Sequence, residues 1–145
     1  MNLEQLFDLA PHGPDVFVGE GHEYPWGGLF GGHIVAQALR AAAYTVSPDL
    51  LPHSLRAYFI RRGDNTQPVR YEVDRIRDGK SFTTRRVVAR QQDGAILNLE
   101  ASFQVQEDSI NEQLVHPQPD LPFPDDIEES SWSTFIERRT IPATA

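Results

Sequence analysis

The chain predicts an α+β fold in which an antiparallel sheet wraps around one long central helix. Three observations carry that prediction. Trp26–Val46, WGGLFGGHIVAQALRAAAYTV, places two glycine pairs before an apolar run of helical period. Four segments of strand period then follow, joined by short turns. At 145 residues the length suits one domain able to bury a real core.

In the central stretch Ile34, Val35, Ala38, Leu39, Ala41, Ala42 and Val46 recur at helical spacing, and five residues between Ala36 and Ala43 are alanine. Alanine favours helix and lets neighbouring backbone approach closely. His33, Gln37, Arg40 and Tyr44 alone interrupt the pattern, which predicts a largely buried helix. Upstream, Asn2 can cap a short helix whose apolar face is Leu3, Leu6, Phe7 and Leu9, ended by Pro11. DVFVGEG reads as a short strand. Downstream, Ser47, Pro48 and Pro52 mark a connection, and SLRAYFIRR is the first long strand, with GDNTQP as its turn. VRYEVDRIR, SFTTRRVVARQ and AILNLEASFQVQ follow, separated by Asp78-Gly79 and Asp93-Gly94, both hairpin signals. Consecutive strands with short turns predict a meander. The last one alternates Ala95, Leu97, Leu99, Ala101, Phe103 and Val105 against Asn98, Glu100, Ser102 and Gln104.

The net charge of −8 is local, since eight acids from Glu107 to Glu129 equal it and no Lys or Arg stands among them. The remainder is formally neutral, which argues against a nucleic-acid partner. Pro117, Pro119, Pro122 and Pro124 share that acidic tract, so residues 107–131 read as an extended linker. Residues 132–145 turn apolar again and read as the opening of a further domain. No apolar run approaches the roughly 20 residues of a membrane helix, so membrane insertion is not expected. MNLEQLFDLA carries no basic region of a secretory signal, and there is no cysteine; a cytoplasmic protein is expected. Glu23 beside His22 is too little for a metal site, and no G-x-S-x-G elbow, Walker or Rossmann fingerprint occurs.

A helix start with Gly31, Gly32 and His33 offers bare N–H groups at the positive end of a helix, suited to an oxyanion or phosphate; equally, the glycines could serve only tight packing. His33 is the candidate base there; equally, it could be only a polar residue at a helix start. Ten cations lie on the strands, most of them expected on a solvated face, and arginine forks suit phosphate.

GGLFGGHIVAQAL, HSLRAYFIRRGD, VDRIRDGKSFTTRRVVARQ and ILNLEASFQ, in that order, resemble the acyl-CoA thioesterase II (TesB-type) family over about residues 15–106. The resemblance implies a hotdog fold, with 1–106 the first of two tandem hotdogs, and hydrolysis of fatty acyl-CoA to acid and CoA. No cofactor is implied; the CoA thioester is the substrate. In that family the water-activating Asp, with a Ser or Thr and a Gln, belongs to the second hotdog, whose segment has no counterpart among these residues. By analogy between the halves, Ser54 and Gln104 or Ser102 stand near the polar helpers; His53 with Ser54 stands in the motif HSLRAYF, close to the inter-domain surface, where the pair could equally only hydrogen-bond its neighbours. Arg61, Arg62 and Arg86 are candidates for CoA. The helix from His33 to Val46 contains no Asp or Glu, so a non-catalytic module that supplies an acyl-binding and dimerisation surface is the alternative. Enoyl-CoA hydration would need an Asp paired with His33, and no suitable one exists. The expected partners are a fatty acyl-CoA and either a second hotdog domain or another copy of the chain.

Overall fold

The computed structural model describes residues 2–115, 121–134 and 136–141. It divides into two units, 1–106 and 107–145.

The first unit contains α1 (Leu3–Leu6), β1 (Ala10–Pro11), β2 (Val16–Gly19), α2 (Gly31–Ala43), β3 (Leu50–Phe59), β4 (Val69–Asp78), β5 (Phe82–Gln91) and β6 (Gly94–Val105). The six strands form one antiparallel sheet in the order β1-β2-β4-β5-β6-β3. α2 lies on one face, where Ala38, Ala41 and Ala42 are fully enclosed with Val69, Tyr71, Val87, Ala89, Leu97, Leu99 and Phe103. Small side chains on the helix let large ones on the sheet interdigitate beneath it.

α2 runs Gly31–Ala43, starting and stopping three residues earlier than the apolar period from Ile34 to Val46 suggests. Its 13 residues make a short central helix of under four turns rather than a long one. Two of its polar interruptions, His33 and Gln37, are themselves buried. α1 is a single turn with a reciprocal Asn2–Gln5 capping box; it buries Leu6 while Leu3 stays exposed, and Ala10–Pro11 is already strand.

The meander holds only for β4, β5 and β6. β3 pairs with β6, so the link from Ile60 to Pro68 passes two strands instead of closing a hairpin. The far side of β4 is occupied by β2, and the apolar pattern of β6 is that of a central strand needing neighbours on both sides. β3 also begins earlier than the sequence suggests and contains Pro52, which an edge strand tolerates, with a register break between Pro52 and Ser54.

The sheet face turned away from α2 carries charge in transverse order: Arg56, Glu100, Arg86 and Asp74 stand opposite one another on β3, β6, β5 and β4. Arg85 departs from the expected solvated role. It is 1% exposed and donates to Thr45 Oγ1, to the carbonyls of Thr45, Arg77 and Thr84, and to Asp78 Oδ1. It thereby ties the end of α2 to the β4–β5 hairpin.

In the second unit, Pro124–Asp126 forms a 3₁₀ turn and Glu129 makes an isolated antiparallel bridge with Arg139. Ser130 N donates to Arg138 O at 2.8 Å. Within residues 132–145, read from the sequence as the opening of a further domain, Arg139 of that bridge is the only residue in β pairing among the described residues; Phe135, residues 142–145 and the linker residues 116–120 lie outside the described residues.

Arg85→Ala should lower stability by about 2–4 kcal/mol through lost buried hydrogen bonds and packing. Arg86→Ala, whose Asp74 pair is exposed, should cost less than about 1 kcal/mol. Urea unfolding of both variants checks the contrast.

Candidate active site

The start of α2 is shaped by what precedes it. Gly27 takes φ +70°, a left-handed value open to glycine, and its N–H closes a turn onto Tyr24 O at 2.9 Å. Leu29 N then donates to Gly63 O at 3.0 Å, which brings the glycine loop against the end of β3. Phe30 is the N-cap and supplies no side-chain cap bond, so no capping side chain competes for the amides of Gly31, Gly32 and His33. Aromatic side chains also stand close over both glycines. A Cβ on Gly31 would meet the Phe59 ring at 3.0 Å, and one on Gly32 the Phe30 ring at 2.5 Å.

This helix start opens on a cavity of about 350 Å³ lined by Leu29, Gly31, Ile34, Phe59, Ile60, Arg61, Arg62 and Gly63. A positive helix end beside two guanidiniums favours an anion or a polarised carbonyl oxygen. Farther along the same helix, a groove of about 1230 Å³ is lined among others by Leu39, Ala43, Val46, Leu50, Pro52 and Phe103. Its lining is mainly apolar, which suits a hydrocarbon chain.

His33 is not among the cavity-lining residues. It is 2% exposed, its Nδ1 lies 2.9 Å from Tyr24 Oη, and its Nε2 makes no hydrogen bond. Burial drives its pKa down from 6.5 to about 4, so the ring is neutral at physiological pH. Tyr24 is the residue that sequence reasoning missed. It stacks on Trp26 at 5.2 Å, lies near Phe30 and His33, and is itself pushed up to about 12 by burial. The HEYPW run before the glycines was the available signal.

The other candidates lie elsewhere. His53 Nε2 stands 2.8 Å from Ser102 Oγ on the sheet face away from α2, with the Phe82 ring edge-on at 5.7 Å. Ser54 pairs opposite Ser102, and Gln104 opposite Leu51 and Phe82. The set formed by His33, His53, Ser54 and Gln104 is therefore not one constellation: His53, Ser54, Ser102 and Gln104 cluster at the Leu50 end of β3, whereas α2 begins near Phe59 at the other. Arg61 and Arg62 line the cavity, but Arg86 does not; it pairs with Asp74 at 2.6 Å on the outer face. Asp64 accepts from Thr66 N, Thr66 Oγ1 and Gln67 Nε2, which shapes its turn and lowers its pKa.

Residues 22–104 match the family model described as the acyl-CoA thioesterase N-terminal domain. The chain is 48% identical over 99 residues to human acyl-coenzyme A thioesterase 8, covering 68% of this chain and 31% of that protein. It is 33% identical over 142 residues to acyl-CoA thioesterase 2 of Haemophilus influenzae, covering 98% of this chain and 47% of that protein. The crystal structure of acyl-CoA thioesterase II TesB2 from Mycobacterium marinum superposes with a TM-score of 0.75 at 38% identity, covering 86% of this chain and 46% of that one. A protein with a hotdog fold from Alicyclobacillus acidocaldarius matches at TM-score 0.72 and 23% identity, over 87% of this chain and 47% of its own, which supports the fold alone. The chain thus spans about a third to a half of the length of these relatives.

The buried, neutral His33 has a consequence for stability. Between its unfolded pKa of 6.5 and its folded value of about 4, the unfolded chain binds a proton that the folded chain excludes. Stability should therefore fall as pH drops through that window. Urea unfolding between about pH 7 and about pH 5 should show a smaller loss for His33→Gln than for the unmodified chain; equal losses would mean that the enclosed ring is not the group titrating.

Proposed function

Because the chain belongs to the acyl-CoA thioesterase N-terminal domain family, we propose that residues 1–106 are the first hotdog of a double-hotdog thioesterase that hydrolyses fatty acyl-CoA to free acid and CoA. In this reading residues 107–131 connect the two domains and 132–145 open the second. The single observation that carries it is the uncapped start of α2 facing a cavity beside Arg61. Amides there meet the thioester oxygen and stabilise the charge that develops on it as water attacks the carbonyl carbon. The Arg61 guanidinium serves the CoA phosphates at the rim, and the apolar groove along α2 takes the acyl chain. No cofactor takes part.

A base for the attacking water is not supplied by α2, which has no Asp or Glu, nor by the enclosed His33. The water-activating group therefore comes from a second hotdog, and the chain's own share is binding and oxyanion stabilisation. His53, Ser54, Ser102 and Gln104 then act as polar surface near a domain boundary instead of as catalysts on this half. That partner covers the β3 edge, where Leu51, Leu55, Tyr58 and Phe59 are exposed beside unpaired backbone groups. In its absence a second copy of the chain takes that place.

Among the described residues no helix is long and apolar enough to cross a membrane. The proposed location is the cytoplasm; one relative, from Saccharomyces cerevisiae, is named a peroxisomal acyl-coenzyme A thioester hydrolase.

Purified chain should bind palmitoyl-CoA in calorimetry yet release thiol at the rate of a heat-killed control, with His33→Ala indistinguishable from it. Turnover that His33→Ala abolishes would instead make His33 the base and this hotdog self-sufficient. Light scattering at micromolar concentration should give a dimer, and a stable monomer would count against the β3 edge as an assembly surface.

A further inference from the structure

Arg61 and Arg62 both line the cavity, but their guanidiniums serve different backbones. Arg61 Nη1 donates to Ala95 O at 3.0 Å, on β6. Arg62 Nη2 donates to Trp26 O, at the head of the glycine loop. Its Nε lies so close to the loop that a Cβ on Gly28 would come within 2.5 Å of it. Gly28 is not among the residues with positive φ, so glycine is needed there for room and not for its dihedral freedom. The neighbouring Gly63 completes the attachment by accepting from Leu29 N at 3.0 Å.

The start of α2 has no side-chain brace of its own, since the N-cap Phe30 makes no side-chain cap bond. We infer that Arg62 is a positioning residue: it holds the Trp26–Leu29 loop, and through it the free amides of Gly31–His33, and is not a ligand of the substrate phosphates. A fixed donor array stabilises a developing oxyanion without reorganising when charge appears, so the clamp acts on the carbonyl end of a thioester. The functional part of this inference rests on the proposed thioesterase reading. The structural part does not.

Hydrogen exchange on the whole chain, read at Gly27 and Leu29, tests the structural part. Arg62→Ala and Gly28→Ala should each speed exchange there by roughly ten- to a hundredfold, the worth of a charge-assisted hydrogen bond. The double variant should be no faster than the faster single one, because both changes break the same contact. Arg61→Ala should leave the loop unchanged, and amides of β5 should stay protected in all variants. Should Arg62→Ala not fold, Gly28→Ala, which displaces the guanidinium without removing it, carries the test. Calorimetry with palmitoyl-CoA and palmitoyl-pantetheine adds a readout that mere structural support would not separate: Arg62→Ala should change both affinities by the same factor. Unchanged loop exchange, or a loss of affinity confined to palmitoyl-CoA, would overturn the inference and return Arg62 to the phosphates. If neither thioester binds the unmodified chain, the thioesterase reading fails while the exchange result still decides the clamp.

Discussion

One buried carboxamide holds the N-terminal half of the unit in place. Gln37 sits fully enclosed in the middle of α2 and must find partners there, since an unpaired buried amide costs more than any packing it gains. Its Nε2 donates to Leu6 O at 2.8 Å and reaches Glu20 O at 3.4 Å, while its Oε1 accepts from Tyr71 Oη at 2.7 Å. Those three bonds bring the end of α1, the exit of β2 and the core of β4 onto a single point of the helix. They also explain Gly19, where a Cβ would meet the carboxamide at 2.5 Å. Tyr24 against His33 repeats the device one turn earlier. The polar residues of α2 are thus what attaches the first thirty residues to the core, and its alanines are what seats it in the sheet.

The opposite flank of α2 has no such covering. The N-terminal segment and β4 lie to one side, and on the other stands β3, an edge strand with a proline, a register break and a run of exposed apolar side chains. The cavity at the helix start opens along this flank, while the larger groove is lined both by Glu4, Gln5, Phe7 and Asp8 of the N-terminal segment and by Leu50, Leu51 and Pro52 of β3. The asymmetry follows from topology: β1 and β2 continue the sheet beyond the first residues of β4, whereas β3 ends it on the other side with its whole length at the edge.

Local chemistry was legible in the sequence wherever one strand or turn decided it. The alternation of β6, the Asp78-Gly79 and Asp93-Gly94 turns, the Asn2 cap and the packing of alanines all follow from near neighbours. The partner of β3 was not legible, because strand order is set by which edges remain free once β2 has paired, and a periodic pattern carries no such information. For the same reason Arg85 read as a surface cation: its hydrogen-bond acceptors come from Thr45, Arg77, Thr84 and Asp78, residues brought together by two hairpin strands and a helix end. At the candidate site the glycines and their amides were visible at once. The orientation of His33 was not, since it depends on Tyr24, nine residues away across a turn.

The missing acid on α2 has a physical counterpart in what the helix start keeps. A carboxylate in the first turn would be favoured by the helix field, and for that reason would draw the free amides of Gly31, Gly32 and His33 to itself. Without one, the amides remain available to an incoming oxygen, and the positive potential is reinforced by Arg61 and Arg62 at the cavity wall. In the thioesterase reading, stabilising an oxyanion and generating a nucleophile then make opposite demands on the same helix end, the first for unpaired donors and the second for a nearby anion. A fold that meets both places the base on a facing element. In that reading the exposed edge of β3, beside the cavity at the helix start, is the surface such an element would face.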